Sequence, residues 1–154
     1  MSSRPWARRL PAGDAPLFVY GTLRFPEILH ELIGGTTHLL PAELPRRRVA
    51  VLPGKVYPGL VYADSGAAQG FLLTGLTRTQ WCVLDEFEDD EYDLAPVLVH
   101  AGERAIYAWT YAWTADVDAA DWSAADFAAT HLTNYVEQCR RLTPGIAPGT
   151  VRIP

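Results

Sequence analysis

Cysteine is scarce in this chain, with two among 154 residues. Cys82 and Cys139 stand far apart in no metal-binding or redox spacing. That excludes a disulfide scaffold and reads as two small buried hydrophobes in a reducing compartment. No basic stripe runs through the sequence and the formal net charge is −5, so nucleic acid is not an expected partner. No apolar run reaches the length of a membrane span, so no membrane partner is expected and a soluble, cytoplasmic protein is. The opening "MSSRPWARRLPAGDAP" carries positive charge but no apolar stretch, which reads as a mobile tail rather than a secretory signal. The chain also lacks an EF-hand pattern and a nucleophile elbow. Its four histidines, His30, His38, His100 and His131, share no ligand spacing. No metal and no cofactor is expected.

Apolar residues make up 49% of the chain, enough for a core in one domain of ordinary size. Twelve glycines and twelve prolines suggest many turns rather than a helical bundle. We expect residues 1–16 as a mobile tail, one domain over 17–142, and a C-terminal tail over 143–154. "LFVY" from Leu17 reads as a buried strand, "GTLR" as a glycine turn, and "FPEILHELIGG" as a helix with Pro26 in its first turn and Gly34-Gly35 at its end. Residues 43–62 are strand-like but broken by Pro and Gly, and "QGFLLTGL" is a further strand. Thr77 and Gln80 form a capping box that opens a second helix. "APVLVH" and "RAIYAWTYAW" are strands. In the latter, Tyr107, Trp109, Tyr111 and Trp113 share one face, either as core or as the wall of a pocket. Ser123 and Asp126 cap one more helix, with an apolar face from Phe127 to Leu142. A mixed α+β fold with a strongly curved or closed, barrel-like sheet and a few covering helices fits this order. The cluster Arg46-Arg47-Arg48 is a solvated strand edge or an anion site.

Two segments carry possible chemistry. In "YGTLR", Gly21 between strand and helix lets the backbone approach a ligand, and the N–H groups ahead of the helix can face an anion. In "VLDEFEDDEYDL", seven carboxylates fall within the nine residues from Asp85 to Asp93. At about 100° per residue, Glu88 phases between Trp81 and Leu84 on the apolar side, while most of the other acids face away. Burial raises a carboxyl pKa, which suits a group that moves protons in both directions. The alternative is a carboxylate held by a backbone N–H or an arginine at a helix end.

"FVYGTLR" (Phe18–Arg24), "YPGLV" (Tyr57–Val61), "GFLLTGL" (Gly70–Leu76) and "LDEFEDDEY" (Leu84–Tyr92), in that order and spacing, resemble the gamma-glutamylcyclotransferase-like superfamily in its avirulence-induced-gene-like branch. The resemblance covers roughly residues 17–114. It implies a small barrel-like fold and cofactor-independent cyclisation of a gamma-glutamyl group to 5-oxoproline with release of an amine. It makes Glu88 the general base and acid. It makes Tyr20, Gly21, Thr22 and Leu23 the substrate-binding turn, and a small gamma-glutamyl compound the partner. The chain departs from the family pattern at Asp89, where glycine is usual, and at Leu94, where arginine is frequent. Both departures bear on the substrate more than on the reaction. Three readings remain open: an enzyme, a non-catalytic binding module of the same fold, and an interaction protein with a solvated acidic face. The leaving amine and the oligomeric state are not legible here.

Overall fold

The computed structural model describes residues 9–11, 14–34 and 38–142. The expected C-terminal tail, and residues 1–8, 12–13 and 35–37, lie outside them. The three apolar residues of β1 (Leu17–Val19) are buried on both faces. A short 3-10 turn (Thr22–Arg24) and α1 (Pro26–Ile33) follow. Gly34 ends α1 at φ 87°, a left-handed conformation that glycine adopts without a steric penalty.

The sheet is built from β1, β2 (His38–Val51), β3 (Pro58–Thr74), β4 (Tyr92–Ala101) and β5 (Arg104–Trp113). It closes into a barrel in the order β1-β3-β2-β4-β5. The β1–β5 seam is parallel and the other pairings are antiparallel, so the sheet is mixed, as expected. The expected stretch 43–62 divides between β2 and β3, and most of the expected strand Gln69–Leu76 continues the same long β3. It pairs with β2 along nearly its whole length, through a register shift between Pro45 and Arg47. Arg46 sits at that shift with φ 58°, a bulge that bends the strand and helps the sheet close.

Register separates the two faces. Phe18 lies opposite Leu72 and Thr110, and Ala42 opposite Gly70. Together with Ala68 and Ala108 these residues are buried and fill the barrel. The aromatic face of β5 is the other one. Tyr107 is 76% exposed at one end, while Tyr111 and Trp113 are 3% and 8% exposed at the other. The strand therefore divides: a solvated end, and an aromatic end covered by other elements.

Gly59 lies beneath that covered end. A Cβ there would stand 2.6 Å from Trp113 Cβ and 2.9 Å from Leu52 Cδ2. Because Trp113 Cβ is fixed to its strand, Gly59→Ala must move backbone. We expect a loss of about 2–3 kcal/mol, the upper part of the overpacking range, read as a lower urea midpoint at unchanged slope. An unchanged midpoint would show that β3 and β5 are loosely joined there.

Among the described residues, four α-helices complete the fold. α2 (Arg78–Phe87) opens on the expected capping box: Gln80 N–H donates to Thr77 Oγ1 at 3.1 Å and Thr77 N–H to Gln80 Oε1 at 2.9 Å. The last expected helix is two, α3 (Ala124–Thr130) and α4 (Leu132–Leu142), broken at His131. The arginine cluster is absorbed by the protein itself. Arg48 bonds Asp121 at 2.9 Å and the Asp118 carbonyl at 2.7 Å, and Arg47 lies over Tyr62. Cys139 is fully buried, and burial pushes its thiol up to about 12. Cys82 is only half-buried, contrary to expectation, because it falls at the edge of the covered side of α2. Among the described residues, no helix is long and apolar enough to cross a membrane.

Candidate active site

The glycine turn and the acidic segment arrive at one place. Phe18, Val19, Tyr20, Gly21, Thr22 and Leu23 line a narrow cavity with Pro58, Glu88, Tyr92 and Tyr111. The sequence-derived residues Tyr20, Gly21, Thr22, Leu23 and Glu88 are thus together, although Glu88 lies more than sixty positions along the chain. Gly21 is required by a close approach rather than by a positive φ. A Cβ at that position would sit 2.8 Å from Pro58 Cγ, so glycine lets the turn lie against the start of β3. The first bond of the 3-10 turn runs from Arg24 N–H to Gly21 O at 3.1 Å. The N–H groups of Thr22 and Leu23 precede it, so that short helix offers them no partner.

Glu88 is 9% exposed, so its expected burial stands, but the phasing argument does not. α2 ends at Phe87, and Glu88 is its C-cap with φ −77° and ψ 144°. Its N–H donates to Leu84 O at 3.1 Å, and the extended backbone beyond the helix turns the residue into the cavity. The acidic run needs a second correction. Asp85 is 0% and Glu86 3% exposed, where helical phasing put them on a solvated face. A helical wheel assumes one covered side, but α2 is covered from several. On the Asp85 side the cover is Arg9, within the stretch expected to be a mobile tail, and Tyr111. Asp85 Oδ1 accepts two hydrogen bonds, one from Arg9 Nε at 2.7 Å and one from Tyr111 Oη at 3.1 Å. A buried carboxylate needs such partners to remain in the core.

Four tyrosines surround Glu88: Tyr20, which the sequence placed in the binding turn, and Tyr92, Tyr111 and Tyr135, which sequence reasoning did not assign to the site. Burial raises the pKa of each phenol well above its usual value. The negative charge of Glu88 adds to the rise in all four, behind Tyr20 for Tyr92 and behind Asp85 for Tyr111. They are neutral hydroxyls over the whole working range, able to donate hydrogen bonds without carrying charge. Tyr20 Oη donates to Tyr111 O, and Tyr92 Oη to Pro58 O. The available signal was the placement of Tyr92 and Tyr111 at the covered ends of paired strands, which strand alternation alone does not disclose.

A second small recess on the other side of Glu88 is lined by Thr22, Tyr57, Phe87, Asp89, Tyr92 and Tyr135. Asp89 organises it. Tyr57 Oη donates to Asp89 Oδ2 at 2.6 Å, Lys55 Nζ lies 3.7 Å from that oxygen, and Asp89 Oδ1 accepts from Glu91 N–H at 3.0 Å. Burial and the bond to Asp89 push the Tyr57 phenol upward. Among the described residues, no group of three or more His, Cys, Asp or Glu side chains is arranged to hold a metal ion.

Comparison with known proteins bears on the fold and the family. The chain is 28% identical to AIG2-like protein D of Arabidopsis thaliana over 130 residues, covering 80% of this chain and 86% of that one. It is 35% identical to AIG2-like protein C of the same plant over 99 residues, covering 63% and 58%. The solution structure of an Arabidopsis thaliana protein superposes with a TM-score of 0.64 at 25% identity, covering 86% of this chain and 83% of the other. A solved gamma-glutamyl cyclotransferase shares the fold, with a TM-score of 0.60 at 16% identity, covering 83% and 87%. The model of the family described as "Gamma-glutamyl cyclotransferase, AIG2-like" matches residues 17–127, a span that contains the glycine turn, the Tyr-Pro-Gly segment and Glu88. The chain therefore belongs to the gamma-glutamyl cyclotransferase, AIG2-like family.

Proposed function

We propose that this protein is a gamma-glutamyl cyclotransferase that converts a small gamma-glutamyl amine or peptide to 5-oxoproline and a free amine, without a cofactor. The observation that carries the reading is that the buried Glu88 lines the same cavity as the Tyr20–Leu23 turn. An interaction protein with a solvated acidic face has no use for a carboxylate buried there.

The chemistry joins two ends of one molecule. The α-amine of the glutamyl group attacks its own γ-carbonyl, and the bond from that carbonyl to the departing nitrogen breaks. The protein must fold the substrate so that these atoms meet, a contribution that intramolecular reactions show to be large. Glu88 takes the proton that the attacking nitrogen loses and returns it to the leaving nitrogen, acting first as base and then as acid. The N–H groups of the turn from Gly21 to Leu23 hold the α-carboxylate or the oxyanion formed at the γ-carbon. The neutral tyrosines give the pocket polar edges without adding charge beside Glu88.

The deciding experiment is a screen for 5-oxoproline release across gamma-glutamyl amino acids, gamma-glutamyl amines, glutathione and gamma-glutamyl-lysine isopeptides. We expect turnover of at least one class. Saturable binding of these compounds with no product from any of them would replace the enzyme by a binding module of the same fold.

A further inference from the structure

We propose that Arg9 is a positioning residue of the active site, clamping the end of α2 so that Glu88 is held toward the cavity. The proposal rests on the role given to Glu88 above.

An arginine side chain offers five N–H donors in a fixed planar fork, and here all five are used on one short segment. Nε donates to Asp85 Oδ1 at 2.7 Å. Nη1 donates to Asp89 O at 2.8 Å and Tyr92 O at 2.7 Å. Nη2 donates to Asp85 O at 2.9 Å and Glu88 O at 3.2 Å. The backbone N–H of Arg9 adds a bond to Asp85 Oδ2 at 3.3 Å, and the guanidinium lies over the Tyr111 ring, 5.0 Å from its centroid.

The carbonyls are what make this more than an ion pair. A helix leaves its last carbonyls without partners, and α2 ends immediately before Glu88. Glycine or water commonly satisfies such groups. In this protein one cation collects the carbonyls of Asp85, Glu88, Asp89 and Tyr92, so the backbone on both sides of Glu88 is tied to a single rigid plane. A positive charge at a helix C-terminus is also favourable in itself. Tyr111 links the clamp to the cavity, because its hydroxyl donates to Asp85 while the residue lines the pocket with Glu88. Arg9 does not line that cavity, so it acts through Glu88 rather than on substrate.

A lysine at this position supplies the charge that Asp85 needs but cannot reproduce the fork. Arg9→Lys therefore separates the two roles. With the best gamma-glutamyl substrate from the screen, we expect its kcat to fall by about tenfold to a hundredfold, the range produced when a reacting group is misplaced by about an ångström. KM should change little; the melting temperature should fall, because three ammonium donors cannot replace five and leave at least two of these acceptors unpaired, so kcat is taken per folded protein. In Arg9→Ala, adding guanidinium ion at non-denaturing concentration should restore part of the lost kcat. The proposal is overturned if Arg9→Lys keeps wild-type kcat while Glu88→Gln is inactive. It is also overturned if the loss in Arg9→Lys is fully explained by a smaller folded fraction. A fully active Glu88→Gln is a different result: it removes the catalytic role of Glu88 itself, and the positioning role with it.

Discussion

Glu88→Gln should leave a folded protein that releases almost no 5-oxoproline, with kcat lowered by about 10²–10⁴, the range for loss of a general acid–base group. The upper part of that range is expected, because one carboxylate serves both proton transfers and glutamine can serve neither. Glutamine matches glutamate in size, so the narrow cavity keeps its shape. The cap at the end of α2 is made by backbone groups: Glu88 N–H to Leu84 O, and Arg9 to Glu88 O. The substitution leaves these in place, and KM and melting temperature should stay close to those of the parent. The measurement is 5-oxoproline formation under saturating substrate, with a thermal melt on the same sample. Full activity in the variant would mean that another group moves the proton.

Unfolding at alkaline pH should be steep and should coincide with ionisation of buried tyrosine. Tyr20, Tyr92, Tyr111 and Tyr135 are each 6% exposed or less, and burial followed by neighbouring charge raises every one of their phenol pKa values well above 10.0. The sign follows from which state holds its protons. Below the unfolded value of about 10, both states are protonated and these groups leave stability intact. Above it, the unfolded chain releases protons that the folded protein keeps, so stability falls until the folded values are reached. Each tyrosine contributes about 1.4 kcal/mol per pH unit, and four acting together give roughly 6 kcal/mol per pH unit. A domain of ordinary stability, about 5–15 kcal/mol, is then lost within roughly one to three pH units above 10. Circular dichroism and the phenolate absorbance band, followed in one titration, should change together for the buried set. Ionisation of those four phenols near pH 10 with the circular dichroism unchanged would show that the cluster is open to solvent.

The two halves of the candidate site were readable in the sequence for different reasons. Tyr20 to Leu23 stood out through the family resemblance, because a glycine between a buried strand and a helix serves a tight turn equally well. Glu88 stood out because its position in an apolar phase is unusual for a carboxylate. The conclusion about its burial held while the geometry behind it failed, since Glu88 caps α2 in an extended conformation. Asp85 and Glu86 show the limit of such phasing. The wheel placed them outward, yet Asp85 is covered by a residue 76 positions away.

What the sequence determined by itself is the set of features that close within a few residues. These include the start of α1 at Pro26 and its end at Gly34, the Thr77–Gln80 capping box, the Ser123 cap, and the family to which the ordered motifs point. Their hydrogen bonds join near neighbours, so residue type and spacing specify them. The tertiary structure alone decided the strand order of the barrel, the ring of tyrosines around Glu88 and the Arg9 clamp on Asp85. Each of these depends on groups brought together across the whole chain. Whether a carboxylate or a phenol is buried is set by the partner that arrives from a distance, and no local pattern encodes that partner.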